Sequence, residues 1–403
     1  MEEPLRMRFF ERDKFFFRPS LITLNLLAAF IFLFSALKPS DALALPHFAR
    51  RIGRNCTFCH TVFPKLNETG RIFKTNGLRF EGEGEWLGVR DLKRLPLSVE
   101  AELEGSYDRV TSSGAKTESS DVKIEEAEIF AGGPMGKKGR VTAFTVLAVT
   151  QTDTGGAADY DVRIAKAFIQ INDIIGPTGA GELNLKAGQD TLALPFMGGS
   201  QKFIQKRPFA ESVLGVFNPE ERLVEINGLI ADEGRRAAAH RYRFGVSRED
   251  VNDGNKLRGL YAAYSVAINE AYSLGVIYRS GEEKNSATDV SYNRYGIAGE
   301  IELKRLIIDA GWFKDLRSGL ADRDNFIVEA AYFPAPRLSL ATRFESTGEN
   351  GRDGAKSLDF MVRYNILSNV FAMVEYRNLS DDGHVTGVNE DESKVRLFVG
   401  AVF

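Results

Sequence analysis

Leu358-Asp359-Phe360-Met361-Val362-Arg363-Tyr364-Asn365-Ile366 sets an apolar residue at every second position, with charged or amide side chains among the residues between them. A period of two is the pattern of a β-strand whose two faces meet different surroundings. Segments of roughly ten such residues repeat from residue 94 onward, and this is the length of a tilted strand that crosses a membrane. The repetition predicts an all-β chain over residues 94–403.

The two faces of the predicted strands differ in chemistry. One face of the first strand is apolar and holds Leu97, Val99, Ala101 and Leu103. Its other face holds Ser98, Glu100, Glu102 and Glu104. A later strand repeats the pattern, with Tyr295, Ile297, Ile301 and Leu303 interleaved with Glu300, Glu302 and Lys304. Apolar residues facing lipid and polar residues facing a lumen produce this alternation in outer-membrane barrels.

The connections between the predicted strands alternate in length. Short ones lie at 269–270, 336–337 and 368–369, and long, charged, glycine-rich ones lie at 111–121, 281–292, 318–324, 349–357 and 381–393. Outer-membrane barrels have short periplasmic turns and longer extracellular loops. We count about 16 strands, an even number that returns both ends of the barrel to the periplasmic side.

The last predicted strand ends at Phe403, and it carries apolar residues on one face at Val395, Leu397, Val399 and Ala401. A terminal aromatic residue that closes an alternating strand resembles the assembly signal of bacterial outer-membrane proteins. A secreted, soluble β-sandwich is the alternative, and its strands alternate as well. A sandwich has no reason for systematically short and long connections, so the prediction is an outer-membrane β-barrel.

Cys56-Thr57-Phe58-Cys59-His60 precedes the strands and has the spacing of a c-type haem attachment site. Two thiols three positions apart reach the two vinyl groups of one haem, and the adjacent imidazole is then held against the iron. A thioredoxin-type pair expects a βαβ context, and a zinc site expects further ligands. These are the only two cysteines of the chain. One covalent haem c is predicted, with Cys56 and Cys59 as tethers and His60 as the iron ligand.

An export signal stands before this motif. Residues 1–20 are rich in Arg, Lys and Phe, an apolar run covers 21–37, and Ala42-Leu43-Ala44 supplies small residues at the cleavage positions. An uncleaved anchor is the alternative, since about 17 apolar residues are the lower limit of a spanning helix. Haem attachment needs an extracytoplasmic compartment, which agrees with export. The predicted organisation is a signal peptide at 1–44, a haem domain at 45–82, a linker at 83–93 and a barrel at 94–403.

The predicted haem domain is too small to enclose a haem with a core of its own. We read residues 64–76 as a single helix that begins at Pro64 and ends before Gly77. Residues 45–80 hold seven Lys and Arg against one acidic residue, Glu68, whereas residues 81–403 hold 39 basic and 49 acidic residues. A basic domain inside an acidic barrel is electrostatically consistent. The small helical haem domain is therefore predicted to lie in the lumen.

The segment around the haem motif reads Pro46-His47-Phe48-Ala49-Arg50, Gly53, Cys56-Thr57-Phe58-Cys59-His60, Phe63-Pro64-Lys65-Leu66-Asn67, Gly70-Arg71, Phe73-Lys74 and Gly77. It closely resembles the N-terminal signature of fused monohaem cytochrome–porins, the outer-membrane Fe(II) oxidases of iron-oxidising bacteria. The resemblance covers about 35 residues, and the rest of the chain matches in architecture alone. His47 departs from the family pattern, in which a non-ligating residue is expected at this position.

The resemblance implies an iron oxidase that conducts electrons through the outer membrane. Extracellular Fe(II) would be the electron donor, a periplasmic cytochrome the acceptor, and His60 the residue at the redox centre. A barrel embedded in outer-membrane lipid insulates the path, and a covalently bound haem is a redox station that does not leak out. Two other functions use the same parts, namely an outward electron-export conduit and a solute porin gated by a redox-sensing cytochrome.

The second axial ligand of the haem has several candidates. His47 is close in sequence, and Met197 belongs to the Pro- and Gly-interrupted segment 191–221, which reaches the haem if it folds into the lumen. Met135 in a predicted periplasmic turn and an open position are the further alternatives. Arg50, Arg51 and Arg54 are candidates for the haem propionates, because guanidinium groups pair well with carboxylates, and a general basic charge of the haem domain is the alternative.

Composition excludes several other classes of function. The chain has a net charge of −3, and its basic cluster is already assigned to the haem domain, so nucleic-acid binding is not indicated. No pairing of a nucleophile with a base stands out that would suit hydrolysis or group transfer. Glu100, Glu102 and Glu104 with Glu126 and Glu128 are either a guide for Fe²⁺ or ordinary lumen lining.

Overall fold

The structure is a computed structural model, and it describes residues 46–80, 96–112, 114–154, 157–231, 238–248, 259–285, 288–382 and 389–403. The predicted signal peptide 1–44 and linker 83–93 lie outside the described residues. Within these ranges, no helix combines the length and the apolar character needed to cross a bilayer.

Sixteen antiparallel strands of the described ranges close into a barrel. Each strand pairs with its neighbour in sequence, and the ring closes where the last strand pairs with the first, with Val402 opposite Glu100. The strands are β3 (Leu97–Ser112), β4 (Ala115–Met135), β5 (Val141–Thr154), β6 (Ala157–Ile175), β7 (Leu183–Leu192), β8 (Asn218–Ala231), β9 (Ala238–Arg248), β10 (Gly259–Ile268), β11 (Tyr272–Asn285), β12 (Thr288–Leu303), β13 (Leu306–Arg317), β14 (Arg323–Ala335), β15 (Leu338–Glu349), β16 (Arg352–Leu367), β17 (Val370–Asp382) and β18 (Asn389–Val402). The predicted fold class is confirmed.

The period of two separates an outer from an inner surface. On β3, Glu100, Glu102 and Glu104 are buried on the inward face, whereas Leu103 between them is 54% exposed. The outward faces of other strands expose large apolar side chains, among them Leu274, Val276, Ile297, Trp312, Phe326 and Val399. A closed ring with an apolar exterior is the form in which strands cross the outer membrane, which places the protein there.

The strands are longer than the sequence pattern indicates. The predicted loops 111–121 and 349–357 are mostly strand, because β3 runs to Ser112 before β4 starts at Ala115, and β15 runs to Glu349 before β16 starts at Arg352. About ten residues suffice to cross the membrane, so the ladder continues into water, where charged side chains suit both faces. The short turns at 336–337 and 368–369 are confirmed, and the one at 269–270 extends to residue 271.

Residues 46–80 form a compact segment, called the plug below. It contains α1 (His47–Ile52), a 3₁₀ turn at Cys56–Phe58, the two-stranded pair β1 (His60–Val62) and β2 (Lys65–Leu66), and α2 (Glu68–Thr75). The predicted helix 64–76 is therefore too long. Pro64 lies in the turn between β1 and β2, and α2 begins only after Asn67, whose side chain accepts a hydrogen bond from the Gly70 amide.

The plug packs against residues of the barrel's inner face. Val62 belongs to a buried cluster with Ile307, Met361 and Phe398, and Ile72 packs on a second cluster that includes Leu229. The short connections of β4 to β5 and of β6 to β7 contact its end, where Asn76 donates to the Gly179 carbonyl at 2.8 Å. The plug therefore lies in the lumen, at the end of the barrel with the short turns.

Residues 193–217, called the inward segment below, connect β7 to β8 from the opposite end. They include the short helix α3 (Phe209–Ser212). Leu194, Phe196, Leu214 and Phe217 pack there on inward-facing wall residues such as Phe313, and all of these are nearly inaccessible. The segment folds into the lumen, which is the condition under which Met197 was a candidate ligand, and the largest apolar core of the described molecule lies inside the barrel.

Candidate functional site

Buried ion pairs hold the plug against the barrel wall. Lys65 of β2 bonds Glu300 at 3.0 Å and also Asp309, and Arg71 of α2 bonds Glu300 at 2.6 Å. In a further pair the charges are reversed, because the cation, Arg241, belongs to the wall and the carboxylate, Glu68, belongs to the plug. The predicted attraction between a basic plug and acidic wall residues is thus found as specific contacts.

A cavity of about 350 Å³ lies between the plug, the inward segment and the wall. Cys56, Cys59 and His60 line it from the plug, and Ser200 and Lys202 line it from the inward segment. Cavities that hold small molecules and cofactors commonly have volumes of about 300–1,000 Å³. The residues of the haem motif therefore face one space of suitable size.

The backbone around the two cysteines is tightly fixed. The Cys59 amide donates to the Cys56 carbonyl at 3.2 Å, and the Cys59 carbonyl accepts from the Asn67 amide at 3.0 Å. The α2 helix approaches this turn so closely that a Cβ at Gly70 would lie 2.1 Å from the Cys59 carbonyl oxygen. Glycine is therefore required at residue 70 to hold the motif against α2.

The imidazole of His60 is oriented by a carbonyl. Its Nδ1 lies 3.1 Å from the Pro64 carbonyl oxygen. Because a carbonyl only accepts, Nδ1 carries the proton and Nε2 keeps the lone pair, which is the usual second-shell arrangement of a metal-binding histidine. Burial lowers the pKa of His60 to about 4, so that the imidazole is neutral at physiological pH. Burial raises the pKa of the Cys56 thiol.

The remaining lining suits a large flat apolar group. Aromatic side chains from both the plug and the wall surround the cavity, namely Phe48, Phe63, Phe73, Phe130, Phe144 and Phe168. Two thiols, one oriented imidazole and this aromatic lining are the set of groups that a covalently attached haem requires. The residues present therefore fit the predicted cofactor.

His47 lines the same cavity from α1 and is 2% exposed. Its Nδ1 contacts the Ser98 hydroxyl, and the same hydroxyl accepts from the His47 amide at 2.8 Å. Burial, with Arg51 and Arg50 nearby, lowers the pKa of His47 to about 3. The structure thus brings two neutral imidazoles, His47 and His60, to one space.

Three other predicted residues lie away from the cavity lining. Met197 is buried in the apolar cluster of the inward segment, where its sulfur would be 3.2 Å from a Cβ at Gly311. Arg50 donates to the Leu97 carbonyl at 2.6 Å, and the guanidinium of Arg54 lies 5.4 Å from the ring centre of Phe58. The roles predicted for these residues stay predictions.

Sequence reasoning did not single out the cationic residues that line the cavity, which are Lys74, Arg163, Lys166, Lys186, Lys202 and Arg207. Five of them belong to the wall or to the inward segment, where the lumen-facing position is set by strand register. Only Lys74 lies within the quoted haem-motif segment, two residues before Asn76.

No family model matches the chain, and no curated protein matches it. Solved structures do. OmpT of Vibrio cholerae in its trimer form is 10% identical with a TM-score of 0.55, and the match covers 76% of this chain and 99% of that one. The anion-selective porin from Comamonas acidovorans is 9% identical at 0.54, with coverages of 76% and 99%. The outer-membrane channel DcaP of Acinetobacter baumannii is 10% identical at 0.54, with coverages of 76% and 97%. The chain thus has the fold of the outer-membrane porins.

Proposed function

We propose that this protein is an outer-membrane electron conduit that oxidises extracellular Fe(II) through one covalent haem c and passes the electrons to a periplasmic carrier. The observation that carries the proposal is the placement of Cys56, Cys59 and His60 on one cavity inside a closed barrel. The substrate and the direction of flow come from the resemblance to the cytochrome–porins.

The chain's own residues would tether, orient and insulate the cofactor. Cys56 and Cys59 would form the two thioether bonds, and the Pro64 carbonyl would hold His60 with Nε2 available to the iron. The haem supplies one-electron chemistry when it is bound. The barrel wall separates this site from lipid, and the phenylalanines of the lining supply apolar surface against which the ring could pack.

The filling of the lumen favours an electron conduit over a solute porin. The plug occupies the end with the short turns, and the inward segment packs an apolar cluster including Phe196, Phe217 and Phe313 at the other side of the cavity. A hydrated solute needs an open path past the plug, whereas electrons do not need an open pore. A solute porin gated by the cytochrome requires the plug to move, and this is the alternative that a conductance measurement separates.

Fe(II) is expected to reduce the haem of the purified protein. Anaerobic titration of the oxidised, detergent-solubilised protein with Fe(II) should produce the reduced c-haem absorption bands promptly. A haem that stays oxidised with Fe(II) but reduces with dithionite would contradict iron oxidation. The cytochrome would then belong to an export conduit or a redox-gated porin.

His47 is proposed as the residue that would hold the haem iron together with His60, because it lines the haem cavity and its Nδ1 contacts Ser98. Replacing His47 with methionine should lower neither the haem content nor the barrel yield. It should raise the haem potential, since methionine ligation favours the reduced iron. Near-infrared and electron paramagnetic resonance spectra would change from bis-histidine to histidine–methionine type. Met197→Leu is the matched control, and a spectral change in that variant alone would assign the ligand to Met197.

A further inference from the structure

Two lysines of the cavity stand apart from the other cations that line it. Lys74 extends from α2 of the plug, and Lys166 extends from β6 of the wall. Among the residues that the structure describes, neither ammonium group makes an ion pair or a hydrogen bond. Each side chain is half-buried and lines the cavity that holds the haem motif.

The other lining cations already have partners. Arg163 pairs with Glu220 at 2.5 Å, and Lys186 pairs with Asp190 at 2.8 Å. Lys202 donates to the Gln205 carbonyl at 2.6 Å, and Arg207 lies 3.4 Å from Glu211. These contacts leave Lys74 and Lys166 as the cations of the described lining whose charged groups have neither an ion pair nor a hydrogen bond.

The charges around Lys74 make this arrangement unfavourable without an anion. Burial lowers the pKa of Lys74 to about 7, and the nearby Lys166, Lys186 and Arg243 act in the same direction, while Asp190 opposes them. Asp190 is occupied by Lys186, and Glu225 is occupied by Arg243 at 2.7 Å. Burial disfavours a cation that has no anion in contact, so an anionic occupant would be stabilising.

We propose that Lys74 and Lys166 receive the propionate carboxylates of the haem. The proposal rests on the proposed cofactor and replaces the sequence-based assignment of this role to Arg50, Arg51 and Arg54. Haem offers two carboxylates at one edge, and the cavity offers two ammonium groups without an ion pair or a hydrogen bond, one on the plug and one on the wall. The pair would thereby join the cofactor both to the segment that tethers it and to the barrel.

The same cations would also bind a free anion such as phosphate, and the experiment distinguishes the haem propionates from a free anion. The variants are Lys74→Gln, Lys166→Gln and the double variant, each in the full-length haem-loaded protein. Lys74→Arg and Lys166→Arg keep the charge, and Lys116→Gln on the exposed part of β4 is the matched control. The readouts are the covalent haem content by pyridine haemochrome and the midpoint potential by optical redox titration in phosphate and in an amine buffer.

Loss of one cation beside a propionate favours the oxidised haem, because the oxidised form carries one more positive charge. Each Gln variant is expected to shift the reduction equilibrium about tenfold toward the oxidised form, equivalent to about 59 mV for one electron. The shift should be equal in both buffers and absent in the Arg variants and in Lys116→Gln.

Other outcomes overturn the proposal. Normal haem content with unchanged potentials would show that the lysines do not meet the propionates, and it would leave the electron conduit intact. A shift confined to phosphate buffer would assign the site to a free anion. A wild-type protein without covalent haem would overturn the proposed function together with this inference.

Discussion

Replacing Cys56 and Cys59 together with serine is expected to give a folded barrel that carries no covalent haem and does not react with Fe(II). The thioether bonds are the only covalent link between haem and chain that the motif provides. The hydrogen bonds of the barrel do not depend on the thioether bonds, since each of the sixteen strands pairs with its two neighbours. Haem staining after denaturing electrophoresis and the Fe(II) titration measure the two effects.

The matched control is Thr57→Ser, which keeps both thiols and changes an exposed side chain of the same turn. It should retain full haem staining. His60→Ala is expected to keep at least part of the covalent haem but to change its spectrum, since the ligand and not the tether is lost. A double serine variant that still stains for haem would contradict the assignment of the motif as a haem attachment site.

Replacing Lys65 with methionine is expected to unseat the plug. Lys65 is fully buried and bonds Glu300 at 3.0 Å, Asp309 and the Phe196 carbonyl at 3.0 Å. Its loss leaves the buried Asp309 carboxylate without its cation, which typically costs about 3–5 kcal/mol, while Glu300 keeps Arg71. The plug should then leave the lumen at lower urea concentration than in the wild type. Single-channel conductance in planar bilayers should rise from nearly closed to porin-like.

Lys394→Met is the matched control for this change. Lys394 pairs with Asp108 at 3.1 Å, but both side chains are partly exposed, and such pairs contribute about 0–1 kcal/mol. The double variant Lys65→Met with Asp309→Asn should recover part of the lost stability, because it removes one orphaned charge. If the wild-type barrel already conducts like an open porin, the electron conduit gives way to a solute channel.

The sequence correctly predicted the features that depend on residues close to one another in the chain. The alternation of Leu97–Leu103 with buried glutamates predicted which face of β3 points inward, and Glu100, Glu102 and Glu104 are buried there. The plug was less accessible to such reasoning. The helix predicted over 64–76 begins only at Glu68, because the chain first turns at Pro64 to pair β1 with β2. That pairing depends on two segments meeting, which periodicity does not encode.

The residues of the candidate site could likewise be predicted only where they are neighbours in the sequence. The haem motif was recognisable because its three reactive residues occupy five consecutive positions of the chain. The contacts of the arginines predicted to bind the propionates were not recognisable from the sequence, and the structure shows Arg50 donating to the Leu97 carbonyl at 2.6 Å. Met197 belongs to a segment that does fold inward, yet it packs with apolar residues instead of lining the cavity. Packing decides which residues of an inward-folded segment reach the cavity, and residue type alone does not specify that packing.

The sequence by itself determined the strand pattern, the outward and inward faces and the haem motif, since each depends on residues that are neighbours in the chain. Only the tertiary structure decided which carboxylates meet Lys65 and Arg71, where the cavity lies and which cations of its described lining have neither an ion pair nor a hydrogen bond. Glu300 is more than 200 residues from the plug in sequence. Ring closure and strand register bring such residues together, and register is a property of the whole barrel.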